Sequence, residues 1–265
     1  MKNLIAAVFA SATLLVALGV SAAEPKQTPE KSEPTPAEQA AAEETEPASA
    51  PAQVSSPPPA ATGGVVYKPP QFGKPAQTVG GGSRGTTEKV PALFVVTPDH
   101  VGQTSSAQPS LFWFVDQVPD ASLRIEFTLF DEEGVEPLVE TTLVAPKRVG
   151  IHRVRLADYG VQLSPGVEYE WSVALILDPN ERSKDIVATG WIDRVEPPDQ
   201  LAARLETEGG GGIAAVYADE GLWYDAVAAL SDQIDRNPAD AGLQQQRADL
   251  LRQVGLDEAA GNAGL

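Results

Sequence analysis

The sequence has no cysteine, one methionine and two histidines, and its 19 Lys and Arg stand against 37 Asp and Glu, for a net charge of −18. Each shortage removes a class of chemistry. Without cysteine there is no disulfide, no thiol nucleophile and no thiolate metal site, so folded parts must be held by burial. With cations this scarce, a phosphate-rich partner is repelled rather than steered in, and neither nucleic acid nor anionic lipid is an expected partner. The acidity runs along the chain: residues 24–60 carry two Lys against seven Glu, and residues 198–265 carry four Arg against twelve acids. After residue 20 no apolar run is long enough to cross a bilayer, so no integral membrane segment is expected beyond that point.

What is present begins with an export pattern. Lys2, the apolar run from Leu4 to Val20 and the small residues Ser21-Ala22-Ala23 read as a Sec-type signal peptide over 1–23, which places the protein in the periplasm or outside the cell. A short membrane anchor is the alternative, and the polar tract that follows favours cleavage. Residues 24–90 form a Pro/Glu/Ala/Gly-rich linker. Nine prolines lie between 24 and 60, and apolar bulk is nearly absent, so a long disordered tail is expected. Val65-Val66-Tyr67 is a small apolar island within it.

From residue 91 the pattern turns to short strands. In the stretch Leu163–Leu177, a Pro165-Gly166 turn precedes strict alternation, with Tyr169, Trp171, Val173, Leu175 and Leu177 on one face. The Leu163, Pro165-Gly166, Tyr169 spacing is that of a tyrosine corner, in which the Tyr hydroxyl bonds back to upstream backbone. Strands are also expected over 93–96, 111–115, 123–130, 138–144, 151–156 and 186–195. Seven strands with turns between them predict a mainly β fold, a seven-stranded immunoglobulin-like antiparallel β-sandwich over 91–197, with a small barrel as the alternative. Strand 111–115 is apolar on both faces, so something must cover its outer face.

Residues 198–265 read as a small α-helical, tetratricopeptide-like C-terminal extension. Tyr217 to Leu222 aligns with Leu251 to Leu256 at an offset of 34, the period of such helical hairpins. Leu222, Ala226, Leu230 and Ile234 make an i, i+4 stripe. Asp199–Glu206 predicts a short helix, Gly209–Gly212 a loop or hinge, and Asn237-Pro238 with Asp240 a helix start. Two repeats are too few to stand alone, so this piece should lean on the β domain and cover strand 111–115.

Candidate binding residues follow from side-chain chemistry. In the loop Asp178–Asp185, oxygen ligands sit beside Arg182 and Lys184, so an Asp178–Arg182 ion pair is expected rather than a Ca²⁺ site. Trp191 and Trp113 are the aromatics for a sugar platform, and Gly221-Leu-Trp223-Tyr224-Asp225 is the stretch for a protein contact; the alternative for Trp223 and Tyr224 is that they seal the interdomain core. His100 and His152 lack a nucleophile elbow, and no catalytic motif, metal set or cofactor site is found, so no enzyme activity is expected.

Leu111-Phe-Trp-Phe114, Glu168-Tyr-Glu-Trp171, Asp178-Pro-Asn-Glu-Arg182, Gly190-Trp-Ile-Asp-Arg194 and Tyr217 through Ala226, in this order and spacing, resemble the DUF928 family of secreted bacterial proteins. The resemblance covers about residues 90–257. It implies a β domain with a nearly continuous helical C-terminal extension in a cell-envelope setting, and it carries over no catalytic residue. The Gly209–Gly212 run departs from it. The reading of function is a non-catalytic envelope protein that binds a protein partner, with a carbohydrate-binding sandwich as the alternative and a hydrolase as the third.

Overall fold

Alternation along the strands decides which side chains meet. In β4 (Arg124–Asp131) Ile125, Phe127 and Leu129 are buried, and in β7 (Glu168–Ile176) so are Tyr169, Trp171, Val173 and Leu175. The two strands pair antiparallel with Phe127 opposite Val173, which sets both apolar rows on the same face. The computed structural model describes residues 64–70, 91–120 and 122–262, all within one compact unit, Pro57–Leu265. The expected signal peptide and most of the linker lie outside the described residues.

The described β region holds eight strands in two sheets. The first sheet has the order β1 (Leu93–Val95), β3 (Ser110–Val115), β6 (Gly150–Arg155). The second has the order β2 (Gly102–Thr104), β8 (Ile186–Arg194), β7, β4, β5 (Val139–Leu143). Both contribute to one hydrophobic core. Two expectations are corrected. There are eight strands rather than seven, and β2 runs parallel to β8, so the pairing is not wholly antiparallel. Gly102-Gln-Thr104 has neither length nor apolar alternation to announce a strand; its ladder with β8 and what packs on Gly102 create it.

The turn before β7 closes as its spacing predicts: the Ser164 N–H donates to the Tyr169 hydroxyl over 2.8 Å. Gly166 takes φ 73°, where a side chain would be strained, and its N–H donates to the Arg194 carbonyl at 2.7 Å, tying the turn to β8. Tyr169→Phe keeps the buried ring and orphans the Ser164 amide. A loss of about 1 kcal/mol in urea unfolding is expected, whereas an unchanged midpoint would leave this corner without energetic weight.

Four helices follow: α1 (Leu201–Asp219), α2 (Trp223–Arg236), α3 (Ala241–Arg252) and α4 (Asp257–Gly261). Of the loop or hinge expected at Gly209–Gly212, the loop is not formed and a kink is. Only Gly209 leaves helical geometry, at φ 62° and ψ −171°, and the helix continues beyond the kink. A residue without Cβ takes that conformation freely, so one glycine suffices for the bend. The helix start expected at Asn237-Pro238 is also displaced. Asn237 ends α2, and Asp240 caps α3, its carboxylate accepting from the amides of Gly242 (2.9 Å) and Leu243 (3.2 Å).

The 34-residue offset has a geometric counterpart. Gly221 and Gly255 both take φ 77°, and in each the next leucine donates its amide five residues back, Leu222 to Tyr217 (2.9 Å) and Leu256 to Leu251 (3.1 Å). This is the same C-terminal helix stop used twice. Leu222, Ala226, Leu230 and Ile234 are all buried. The helices pack against β2 and β3, and every side chain from Leu111 to Val115 is buried.

One part of the expected disordered tail is corrected. Residues 64–70 lie along the helices with Val65 and Tyr67 buried. The Gln253 side-chain amide grips their backbone twice, accepting from the Tyr67 amide and donating to the Val65 carbonyl, each at 2.8 Å. The Lys68 amide donates to the Ala218 carbonyl at 3.0 Å. Burial of Val65 and Tyr67 supplies what the surrounding polar sequence lacks.

Candidate functional site

The stretch Trp223-Tyr224-Asp225 opens α2, where three successive side chains point in three directions just after the Gly221 turn. Trp223 is fully buried, donates its indole N–H to the Val96 carbonyl (3.1 Å) and meets the Tyr67 ring edge-on at 5.1 Å. Tyr224 is 1 % exposed. Its hydroxyl donates to the Trp191 carbonyl (2.9 Å), accepts from the Trp171 indole N–H (3.0 Å) and lies 3.1 Å from the Thr97 hydroxyl. A Cβ on Gly102 would stand 2.7 Å from the Tyr224 ring, so only glycine allows this approach. Asp225 accepts the Ser105 amide at 2.9 Å just after β2. Burial pushes its carboxyl up to about 6, against the hydrogen bonds from Ser105 and Thr104 that pull it down. These three residues therefore bolt the helices to both sheets. As a surface for a partner, Trp223 and Tyr224 are corrected: they seal the core between helices and strands.

The hairpin loop is corrected as well. Asp178 does not pair with Arg182. Its carboxylate accepts the Asn180 amide at 2.9 Å and closes the turn. The 3₁₀ turn Arg182–Lys184 instead brings Arg182 to Asp185 and, across the sheet, to Glu126 at 3.0 Å. Arg182 is about half exposed, so solvent screens this network and it orders the hairpin more than it stabilises the fold. Trp191 is partly exposed on the outer side of β8, and no other aromatic ring stands beside it among the described residues. Trp113 is buried, with the His152 ring 4.9 Å away. No sugar platform of adjacent exposed rings is formed by these residues. Among the described residues no cluster of His, Asp and Glu could hold a metal ion.

The structure brings together a different set. A cavity of about 490 Å³ opens between the outer face of β6 and helices α2 and α3, a volume within the range of small-ligand sites. Arg148, Arg153, Arg155 and Arg247 all line it, and Asp235 is the one acid among the lining residues. Arg153 and Arg155 alternate with the buried Val154, so both project from one face of β6. Arg153 lies deep: its guanidinium stacks 4.9 Å over the Phe112 ring and pairs with Asp232, with Asp235 at 3.5 Å. Its Nη2 is buried and makes no hydrogen bond to a described residue. Arg247 reaches in from α3, with Ser231 at 3.4 Å. Burial, reinforced by the neighbouring Arg148 and Arg153 charges, lowers the affinity of Arg247 for its proton, while Asp235 opposes this. Arg148 and Arg155 are exposed at the mouth and form no ion pair with a described residue. His152 donates its Nε2–H to the Arg148 carbonyl (3.1 Å), and its pKa is lowered, chiefly by burial, so the ring adds no charge near neutrality.

The sequence model of the family described as Domain of Unknown Function (DUF928) matches residues 79–263. The chain belongs to the DUF928 family. The match spans both the two-sheet region and the four helices, and in this DUF928 protein the arginine-lined cleft lies where those two regions meet. A solved fibronectin type III domain of the human collagen alpha-1(XX) chain is similar at 16 % identity, covering 44 % of this chain and 93 % of that one, with a TM-score of 0.25. No curated protein matches the sequence. No helix among the described residues is long and apolar enough to cross a membrane.

None of the four arginines was among the residues singled out from the sequence. Segment charge hides them, because every folded segment is acidic in sum. The Arg153-Val154-Arg155 alternation within an expected strand was the available signal. Arg148 and Arg247 join only through tertiary contact.

Proposed function

We propose that this DUF928 protein is a non-catalytic, protein-binding module of the bacterial cell envelope, exported through a Sec-type signal peptide, that receives acidic groups of its partner in the arginine-lined cleft. The observation that carries the reading is the inversion of charge. In a chain with 37 acids and 19 cations, four guanidiniums converge on one cavity, where Asp232 and Asp235 engage Arg153 while Arg148 and Arg155 at the mouth form no ion pair with a described residue. Like charges held together in a partly enclosed space repel, and an anion from outside relieves that repulsion. Arginine suits the role because its planar fork binds carboxylates in pairs of hydrogen bonds.

The scaffold reading draws support from the strand order and the tyrosine corner, which fit an immunoglobulin-like sandwich. The twin turns at Gly221 and Gly255 fit a tetratricopeptide-like hairpin pair leaning on it. The non-catalytic reading draws support from the perturbed groups, each of which already has a structural task. Asp225 is engaged at the junction, and His152 is tied to backbone. Asp99, His100 and Tyr67 form a hydrogen-bonded chain, but burial raises the Tyr67 pKa and makes it a poorer nucleophile.

Arg148→Glu/Arg155→Glu reverses two exposed charges at the mouth and spares the buried contacts. Titration of a labelled glutamate-rich peptide in low salt is expected to show binding by the parent protein, weakened as salt rises, and at least tenfold weaker binding by the double variant with its circular dichroism unchanged. Equal binding by parent and variant would contradict the cleft as the site.

A further inference from the structure

We infer that the partner enters as an extended acidic segment that adds a strand to the free edge of β6, with acids two residues apart meeting Arg153 and Arg155. This rests on the cleft reading above and deepens it by naming the form of the occupant.

The sheet order supplies the first observation. β6 is an end strand: its six residues pair with β3 on one side, Gly150 with Val115 through Arg155 with Ser110, and no described strand pairs with the other side. An end strand presents alternate backbone N–H and C=O groups outward, which is the template for strand addition. The cleft runs beside this strand, since Gly150, Ile151, His152, Arg153 and Arg155 all border it.

Spacing supplies the second. Side chains two apart on a strand are separated by about 6.6 Å. An added strand has the same repeat, so acids at alternating positions fall in step with Arg153 and Arg155. Acids packed consecutively would put half of their carboxylates on the opposite face. Arg148, before the strand, and Arg247, from α3, extend the positive field beyond the two strand arginines. The rest of the acidic surface repels a second copy of this chain and any acidic segment that does not reach the cleft. A saccharide has no amide ladder to match, so the free edge favours a polypeptide.

The test uses the full chain and four fluorescent probes. The first is a peptide with glutamate alternating with threonine. The second is its glutamine counterpart, the third is the same acidic peptide N-methylated at alternate amides, and the fourth is a polyglucuronate oligomer. Anisotropy titrations are expected to show the acidic peptide binding at least tenfold more tightly than the glutamine and N-methylated forms. Amide hydrogen exchange across residues 150–155 is expected to slow only with the unmethylated acidic peptide. Equal affinity of the N-methylated peptide, with no added protection of β6, would overturn strand addition while leaving the cleft reading intact. Tighter binding of polyglucuronate than of the acidic peptide would overturn the partner class. Binding of none of the four probes would overturn both readings.

Discussion

Replacing Trp223 with alanine is expected to destabilise the protein by about 3–5 kcal/mol, the range for deleting a fully enclosed large aromatic. The indole has no exposed surface, holds the Val96 carbonyl by its N–H and forms the face against which Tyr67 packs. Its loss opens a cavity where helix, strand and the 64–70 segment meet, and it leaves the Val96 carbonyl without that buried donor. Trp191→Ala is the control, because that ring is partly exposed on the outer side of β8 and its replacement should cost clearly less than that of the fully enclosed Trp223. Urea unfolding followed by far-ultraviolet circular dichroism reads both. Equal effects of the two replacements would contradict the role of α2 as the bolt between helices and sheets.

Asp225→Asn is expected to change how stability depends on pH. The folded carboxyl titrates near 6, against an ordinary value of 3.8, so between these values the folded state holds a proton that the unfolded chain has released. Stability from this group is complete below pH 4 and is lost as pH rises to about 6. The full linkage corresponds to about 3 kcal/mol, which solvent access to a partly buried group reduces to ~1–2 kcal/mol. Asparagine keeps an acceptor for the Ser105 amide and carries no charge. The variant should therefore match the parent near pH 4 and exceed it by ~1–2 kcal/mol at pH 7. Tyr217, whose own pKa burial and the Asp225 charge both raise, titrates far above this window. A parent and variant whose difference in stability is the same at both pH values would remove the carboxyl from the account.

The β region was legible because its rules are local. Tyr169 to Leu175 alternate, and Pro165-Gly166 fixes the turn that lets the Tyr169 hydroxyl reach Ser164. The Gly221 and Gly255 turns were legible for the same reason: one backbone conformation recurs with one residue type. What escaped the sequence depends on partners far along the chain. β2 exists because β8 and Tyr224 hold a Gly-Gln-Thr tripeptide in place. Residues 65–67 pack because Gln253 grips their backbone from 186 residues away. Arg182 chooses Glu126 over Asp178 because strand pairing brings β4 beside that hairpin. Trp223 and Tyr224 carried the right chemistry for a contact, and the contact they make is internal. The arginine cleft was hidden for the opposite reason, since a charge sum over a segment cannot reveal which side chains converge.

The direct measurement is a nuclear magnetic resonance titration of the labelled protein with the alternating glutamate peptide. Shift changes should concentrate on residues 148–155 and on the Ser231–Arg247 side of the cleft, leaving the 178–185 hairpin and Trp191 still. Changes centred on that hairpin or on Trp191, with the cleft resonances unmoved, would contradict a site built from Arg148, Arg153, Arg155 and Arg247.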